Sequence, residues 1–270
     1  MKNIVICLFL LGGIFGQSDL SKGITAYERR HDGCIEDRAQ PRPISEAIRY
    51  FKMALENPET ENEAALYLLK SYYFKAKFSE SDKEIKKELL KNGKALGQEL
   101  LDRFPDSVEY RYWYIVNLGS WAEVYGILAA AREGVADQMR SHSEKIIKID
   151  SEYKDGGGYF MLGAVHYKSP YIPFLLSWPD NDEAVKWLRK ATETGKSTMN
   201  LNVYLAQALY KQKNRTEATR LLEKVSQTEP SENEYASDWE WIKKASGLLA
   251  DWQCSISVDL KPSLLVPFNV

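Results

Sequence analysis

The sequence predicts an all-α protein, a helical repeat array in which antiparallel helix pairs stack into a right-handed solenoid. Two observations predict it. The chain is almost entirely helix-forming, with Gly and Pro at intervals, and one pattern of small and large side chains recurs at a fixed distance. At 270 residues and 44% hydrophobic, the chain is long enough to bury a sizeable core. A net charge of −2 gives no basic footprint, so we predict no nucleic-acid partner.

The recurring pattern marks the second helix of each pair. It is a small residue, a large apolar residue four positions later, and a small residue three positions after that. It occurs at Ala47–Phe51–Ala54, at Ala184–Leu188–Ala191 and, 34 positions further on, at Ala218–Leu222–Val225. Small side chains let two helices approach closely, and the large one fills the groove between them. This spacing is that of a tetratricopeptide repeat, whose period is 34 residues.

The first helices are indicated by a different signature. Tyr159, Leu162, Gly163 and His166 follow the W-x2-L-G-x2-Y template with aromatic-type substitutions. Further helices are expected at Ala65–Tyr72, Lys91–Phe104, Val108–Leu128 and Asn202–Leu209, with a capping helix at Ser237–Trp252. The predicted domains are a signal peptide (1–16), an N-terminal extension (17–43), a tetratricopeptide-like helical repeat domain (44–253) and a C-terminal tail (254–270).

The start of the chain predicts export. Lys2 precedes the apolar run Ile4–Phe15, and Gly16 offers a small residue for cleavage. The run is shorter than the roughly 20 residues that span a bilayer, although an uncleaved anchor or a buried helix stays an alternative. Cys7 is not preceded by small residues, so we expect a periplasmic protein without a lipid anchor. Export would permit a disulfide between Cys34 and Cys254, which the sequence neither requires nor excludes.

The stretch 166–184 is apolar and aromatic although it lies between two helices. Measured against the repeat template, Ala184 comes nine positions late, so this hairpin carries an insertion. Insertions in repeat arrays collect on one face, often the binding face. We therefore predict that its aromatic side chains, Tyr171, Phe174 and Trp178, form a wall or lid of a binding site.

A second aromatic segment lies at residues 110–131. Trp113, Asn117, Trp121 and Tyr125 are spaced by four and so share one face of a helix. These side chains are core residues in the simplest interpretation. The alternative is that they line a cavity for an amphipathic ligand, with Asn117 as the orienting polar group.

Catalytic and metal-binding patterns are missing from the sequence. The three histidines, His31, His142 and His166, are scattered, and no G-x-S-x-G motif occurs. Gly195-Lys196-Ser197 has the end of a phosphate-binding loop but follows a predicted helix rather than a strand. We predict that the protein is not an enzyme and needs no metal or cofactor.

The aromatic helix with its Asn117-Leu118-Gly119, followed by the segment from Gly158 to Ala184, resembles the tetratricopeptide-like T-component proteins associated with TRAP transporters. A wider resemblance extends to the regulator of microtubule dynamics family, which shares the aromatic–Asn-Leu-Gly helix. The resemblance implies an exported helical protein that can self-associate as a homo-oligomer. It also implies an apolar ligand that is passed to a periplasmic solute-binding protein.

Two functions follow as hypotheses. The first is a non-enzymatic binding protein for a small apolar or amphipathic ligand, docking a periplasmic transport partner. The second is a protein–protein interaction scaffold without a small-molecule ligand. The residues predicted to bind the ligand are Trp113, Asn117, Trp121, Tyr125, Tyr171, Phe174 and Trp178.

Overall fold

The computed structural model describes residues 18–172, 174 and 176–259, with side chains described as far as Gln253. Every extended regular element in this part of the chain is a helix, which confirms the predicted fold class. The helices are α1 (Asp19–Glu28), α2 (Pro41–Ala54), α3 (Glu61–Phe74), α4 (Lys83–Arg103), α5 (Val108–Tyr125), α6 (Ile127–Arg132), α7 (Val135–Ile149), α8 (Tyr153–Lys168), α9 (Asn181–Thr194), α10 (Met199–Lys211), α11 (Arg215–Ser226) and α12 (Tyr235–Asp259).

The helices pack as pairs in chain order. The pairs are α1–α2, α3–α4, α5–α7, α8–α9 and α10–α11, followed by α12. The first member of each pair also contacts the first member of the next, so we call α1, α3, α5, α8, α10 and α12 the inner helices and α2, α4, α7, α9 and α11 the outer helices.

The small-and-large pattern works as predicted. Ala184, Leu188 and Ala191 are fully buried on α9. A Cβ added at Gly163 of α8 would lie 2.6 Å from Leu188 Cγ, so the glycine lets the two backbones approach closely. A side-chain cap marks the start of α9. Asp180, the last residue before α9, accepts hydrogen bonds from the amides of Asp182 and Glu183 as a helix N-cap.

The array is longer than the sequence predicted. Helix α1 lies in the predicted extension and packs on α2 as its missing first-helix partner. At the other end, α12 continues to Asp259, into the segment predicted to be an extended tail. Gly126, with φ of 93°, ends α5 three residues earlier than expected. The predicted signal peptide, the side chain of Cys254 and the remaining tail lie outside the described residues, whereas Cys34 is half-buried.

Helix α12 joins the two ends of the array. Ala236, at its start, is buried in the hydrophobic cluster formed by α1, α2 and α3. Ala245, further along, is buried in the cluster formed by α8 to α11. Three cationic side chains connect α12, or the segment before it, to the first two helix pairs. Arg30 donates to the carbonyl of Asn233 at 2.6 Å, Lys77 pairs with Glu240 at 2.8 Å, and Lys243 pairs with Asp37 at 2.8 Å.

Candidate functional site

Asn117 is buried completely and its carboxamide is used for helix packing. Its Nδ2 donates to the carbonyl of Leu69 on α3 at 3.1 Å and to that of Trp113 at 2.9 Å. Its Oδ1 lies against Gly93 on α4, where any Cβ would clash with it. The side chain therefore ties α3, α4 and α5 together, and this geometry supports the packing interpretation over that of a ligand-orienting group.

Trp121 and Tyr125 form a stacked pair with ring centroids 4.3 Å apart. Lys94 and Lys87 of α4 cover the pair, with their ammonium groups 4.4 Å from the Trp121 ring and 5.5 Å from the Tyr125 ring. Trp121 itself belongs to the central hydrophobic cluster. The aromatic pair thus packs between α4 and α5.

The inserted stretch is anchored at one end and exposed at its tip. Trp178 Nε1 donates to Asp137 on α7 at 2.7 Å, and its ring packs edge-on against His166 with centroids 4.9 Å apart. Tyr171 is 64% exposed and Phe174 is fully exposed. The insertion thus contacts α7 and α8 through Trp178 and directs the other two aromatic side chains outward. The structure does not bring the seven predicted residues together around one cavity.

Trp113 is partly buried, and its Nε1 is buried without a hydrogen-bond partner among the described residues. It sits on α5 facing the inner side of the array, next to Tyr73 of α3. Two ammonium groups lie above its ring, that of Lys70 at 5.9 Å and that of Lys154 at 5.8 Å. Neither lysine forms an ion pair within the described residues. Burial, with Lys154 next, lowers the pKa of Lys70.

Lys154 lies over the Trp113 ring in an unfavourable, left-handed backbone conformation. Lys154 and Asp155 have φ of 53° and 56°, left-handed values that cost about 1–3 kcal/mol for such residues. Asp155 Oδ1 accepts a hydrogen bond from the amide of Lys196 at 3.2 Å, which helps to hold the turn. Strained backbone is often found where a side chain must be positioned for function. The sequence analysis missed Lys70 and Lys154, because they meet only when α3 and α8 stand on either side of α5.

Tyrosines surround this pair of lysines on the inner face. Burial raises the pKa of Tyr112 to about 12 and that of Tyr73 well above its usual value, so both hydroxyls stay protonated at neutral pH. Burial likewise raises the pKa of Tyr153, whose ring lies 5.5 Å from that of Tyr112. These rings offer apolar faces with polar hydroxyl ends. We call Lys70, Tyr73, Tyr112, Trp113, Tyr153 and Lys154 the inner-face cluster.

The chain's own acidic linker reaches the same region. Glu234, just before α12, lies 3.5 Å from Arg30, and burial raises the pKa of Glu234 while Arg30 and Lys154 oppose that rise. The inner face therefore already attracts one acidic segment, the one that leads into α12.

A hollow of about 280 Å³ lies beside α12, between the α1–α2 turn, the end of α3 and the start of α4. Its lining is mostly polar, with Tyr73, Ser120, Glu123 and Glu240 among its residues. One carboxylate oxygen of Glu240, Oε2, is buried without a hydrogen-bond partner. Within the described residues no group of three or more His, Cys, Asp or Glu side chains is arranged to hold a metal ion.

The comparisons with known proteins agree with this fold. The family described as regulator of microtubule dynamics protein 1-3 matches residues 34–175, which is more than half of the chain. The chain belongs to this family. No curated protein matches the sequence.

A solved structure shares the fold. TTC0263, a thermophilic TPR protein of Thermus thermophilus, superposes with a TM-score of 0.56 at 16% identity. The match covers 86% of this chain and 97% of that protein. At this identity the likeness establishes the tetratricopeptide-like fold alone. Neither match singles out the TRAP-associated T-component proteins, so that narrower resemblance stays a prediction.

Proposed function

We propose that the protein is a protein–protein interaction scaffold whose inner face binds an acidic segment of a partner. The observation that carries the proposal is the pair of lysines above Trp113, which have no ion-pair partner in the described part of the chain. Like charges held together repel, and a carboxylate between them would relieve that repulsion. Helical repeat arrays commonly bind partners on an extended concave face, which agrees with this location.

The tyrosines around the two lysines would add apolar contact area and polar hydroxyl contacts to a bound partner segment. Tyr and Trp are the side chains most often found at the energetic centre of protein interfaces, because each combines a large rigid apolar face with a polar end. The acidic linker around Glu234 indicates the preferred chemistry, since the chain places its own carboxylate beside Arg30 and near Lys154. A partner segment with carboxylates and apolar residues would fit the inner-face cluster.

Charge reversal tests the proposal. The double variant Lys70→Glu, Lys154→Glu should lose cross-linked capture of the partner by at least tenfold, since both contacts become repulsive. The matched control is Lys148→Glu, Lys224→Glu, which reverses two exposed lysines on the outer helices α7 and α11. Quantitative mass spectrometry of captured proteins gives the readout. Equal capture by both double variants would reject the inner face as the binding surface.

A small amphipathic ligand is the second candidate, and the hollow beside α12 favours it. Its volume of about 280 Å³ is close to the lower end of ligand pockets, which begin near 300 Å³. Its charged lining suits a ligand with a polar group better than a purely apolar one. Native mass spectrometry of protein purified from its own host tests this candidate. A spectrum with the bare protein mass alone would count against it.

Export and a periplasmic solute-binding protein as partner remain part of the proposal. The apolar run Ile4–Phe15 after Lys2 supports export, and the resemblance to T-component proteins supports the partner. Binding rather than catalysis is proposed, because the inner face offers cation, phenol and indole groups without a nucleophile beside a base. N-terminal sequencing of the protein from periplasmic extract should begin at Gln17, whereas a sequence that begins at Met1 would contradict export.

A further inference from the structure

Large apolar side chains are concentrated at one edge of the array. At this edge each inner helix turns into its outer partner, and we call it the hairpin edge. Among the described residues, the large apolar side chains that are exposed there are Ile35, Ile85, Ile127, Leu128, Tyr171 and Phe174. The opposite edge exposes Met53 and Ile149, to about the same extent as Ile85 and less than the other five.

Contacts between successive turns show that they form one continuous edge. The amide of Ala39 donates to the carbonyl of Phe78 at 2.9 Å, which joins the first turn to the second. Glu123, near the end of α5, lies 3.8 Å from Lys77 and 3.0 Å from Lys168, which joins the second, third and fourth. Lys211, at the end of α10, reaches the carbonyl of Tyr167 and joins the fifth.

The apolar side chains of the different turns do not bury one another, because each stays exposed. Leu128 is 76% exposed on the short helix α6, and Phe174 is fully exposed on the neighbouring insertion. Phe174 also has φ of 65°, a left-handed value that is unfavourable for a bulky side chain. A row of projecting apolar tips suits a broad, flat apolar layer better than a single pocket.

Several cationic side chains along the hairpin edge have no ion-pair partner among the described residues. Arg38, Lys83, Lys86, Arg132 and Lys213 form no ion pair in the part of the chain that the structure describes. The acidic side chains beside them are already engaged. Glu36 and Asp37 pair with Lys243, Glu133 pairs with Lys94, and Asp82 and Asp180 cap helices. The edge thus combines apolar tips with unpaired positive charge, which complements an anionic lipid surface.

Helix α12 also reaches the hairpin edge. Trp252 stacks on Tyr210, at the end of α10, with ring centroids 3.9 Å apart, so this part of α12 lies at the hairpin edge. Within the described residues no helix is both long enough and apolar enough to cross a bilayer.

We infer that the hairpin edge docks on the surface of an anionic lipid bilayer. Ile127, Leu128, Tyr171 and Phe174 enter the headgroup region, and Lys83, Arg132 and Lys213 face anionic headgroups. This inference is independent of the inner-face cluster, which involves none of these residues.

Vesicle sedimentation tests the docking surface with the full chain. The probes are vesicles of phosphatidylcholine containing phosphatidylglycerol, and vesicles of phosphatidylcholine alone. We expect binding to the anionic vesicles, weaker binding at high salt, and a loss of about tenfold or more for Leu128→Ser, Phe174→Ser. The matched control is Met53→Ser, Ile149→Ser on the opposite edge, which should bind like the unchanged protein.

Three outcomes would overturn the inference. The first is no sedimentation with anionic vesicles, and the second is an equal loss for the two double variants. The third is self-association in sedimentation velocity that Leu128→Ser, Phe174→Ser abolishes while vesicle binding is unaffected, since the edge would then be an interface between copies of the chain. Circular dichroism verifies that each variant keeps its helical fold.

Discussion

Gly93 has no side chain because the carboxamide of Asn117 occupies the space where one would go. Gly97, one turn along α4, accommodates Tyr114 in the same way, with a hypothetical Cβ only 2.9 Å from the ring. Such contacts bring α4 and α5 unusually close. The Asn-Leu-Gly motif of α5 is therefore explained at least in part by packing against a glycine face on the preceding helix.

Gly93→Ala should destabilise the protein although alanine favours helices. The added methyl group must displace a buried, hydrogen-bonded carboxamide, which we expect to lower the free energy of unfolding by about 1–3 kcal/mol. Gly247→Ala on α12 is the control, because no atom beyond its own turns of helix lies within 4 Å of its hypothetical Cβ. Urea denaturation should show that variant unchanged or slightly stabilised. Similar effects at both positions would contradict the close contact.

His142 is held neutral by its surroundings. Its Nδ1 lies 2.7 Å from Nη1 of Arg111, a buried arginine, so Nδ1 accepts the hydrogen bond. Burial, with Arg111 and Lys145 next, lowers the pKa of His142 to about 4. In the unfolded chain the imidazole titrates near its ordinary value of about 6.5. Its stabilising effect is therefore complete above pH 6.5 and is lost as the pH falls toward 4.

His142→Gln should weaken this pH dependence. Glutamine can accept the hydrogen bond from Arg111 but does not titrate. Between pH 7 and pH 4.5 we expect the variant to lose about 1 kcal/mol less unfolding free energy than the unchanged protein, a value reduced for partial exposure of the imidazole. Denaturant titrations at several pH values measure it. Identical pH profiles would show that His142 is not responsible.

At the scale of elements, the insertion before α9 is attached near its C-terminal end, where Leu176 is also buried. Trp178 contacts α7 through its hydrogen bond to Asp137, and Arg140 lies 4.9 Å above its ring. The exposed tip at Tyr171 and Phe174 has no comparable attachment among the described residues. The insertion is therefore positioned from its C-terminal end, where Asp180 starts α9.

Trp178→Ala should release the insertion without unfolding the array. We expect cleavage between residues 169 and 180 by a broad-specificity protease to become about tenfold faster, because the anchor no longer limits local opening. Tyr171→Ala is the matched control, since that side chain is exposed and should change the cleavage rate little. Mass spectrometry of the fragments gives the rates. Unchanged cleavage of the Trp178 variant would contradict the anchoring role.

The sequence was most informative about elements whose pattern is local. The second helices α2, α9 and α11 were predicted because each repeats its own small-and-large spacing. Helix α1 was missed because its buried positions, Gly23 and Ala26, carry no distinctive signature. The insertion was located correctly between α8 and α9, but its tip was expected to enclose a cavity. The outward direction of Phe174 depends on a local backbone conformation that no sequence spacing encodes.

At the scale of the whole molecule, the proposed binding site combines residues that are distant in sequence. Lys70 and Lys154 meet over Trp113 because α3, α5 and α8 are successive inner helices. Lys77 reaches Glu240 because α12 returns to the first pairs. A periodic pattern predicts that helices stack, but not which of their exposed side chains share a face. The residues of the candidate site could therefore be identified only from the folded structure.

Site-specific photo-cross-linking tests the central claim most directly, namely that a protein partner binds the inner face. Glu109 is an exposed residue of α5 that lies near Lys70, and replacing it with p-benzoylphenylalanine leaves both lysines intact. Irradiation in the native host should attach the chain to a partner protein through an acidic segment. When p-benzoylphenylalanine replaces Lys148 on α7 instead, we expect no such cross-link. Cross-links from Lys148 alone, or from neither position, would contradict the account.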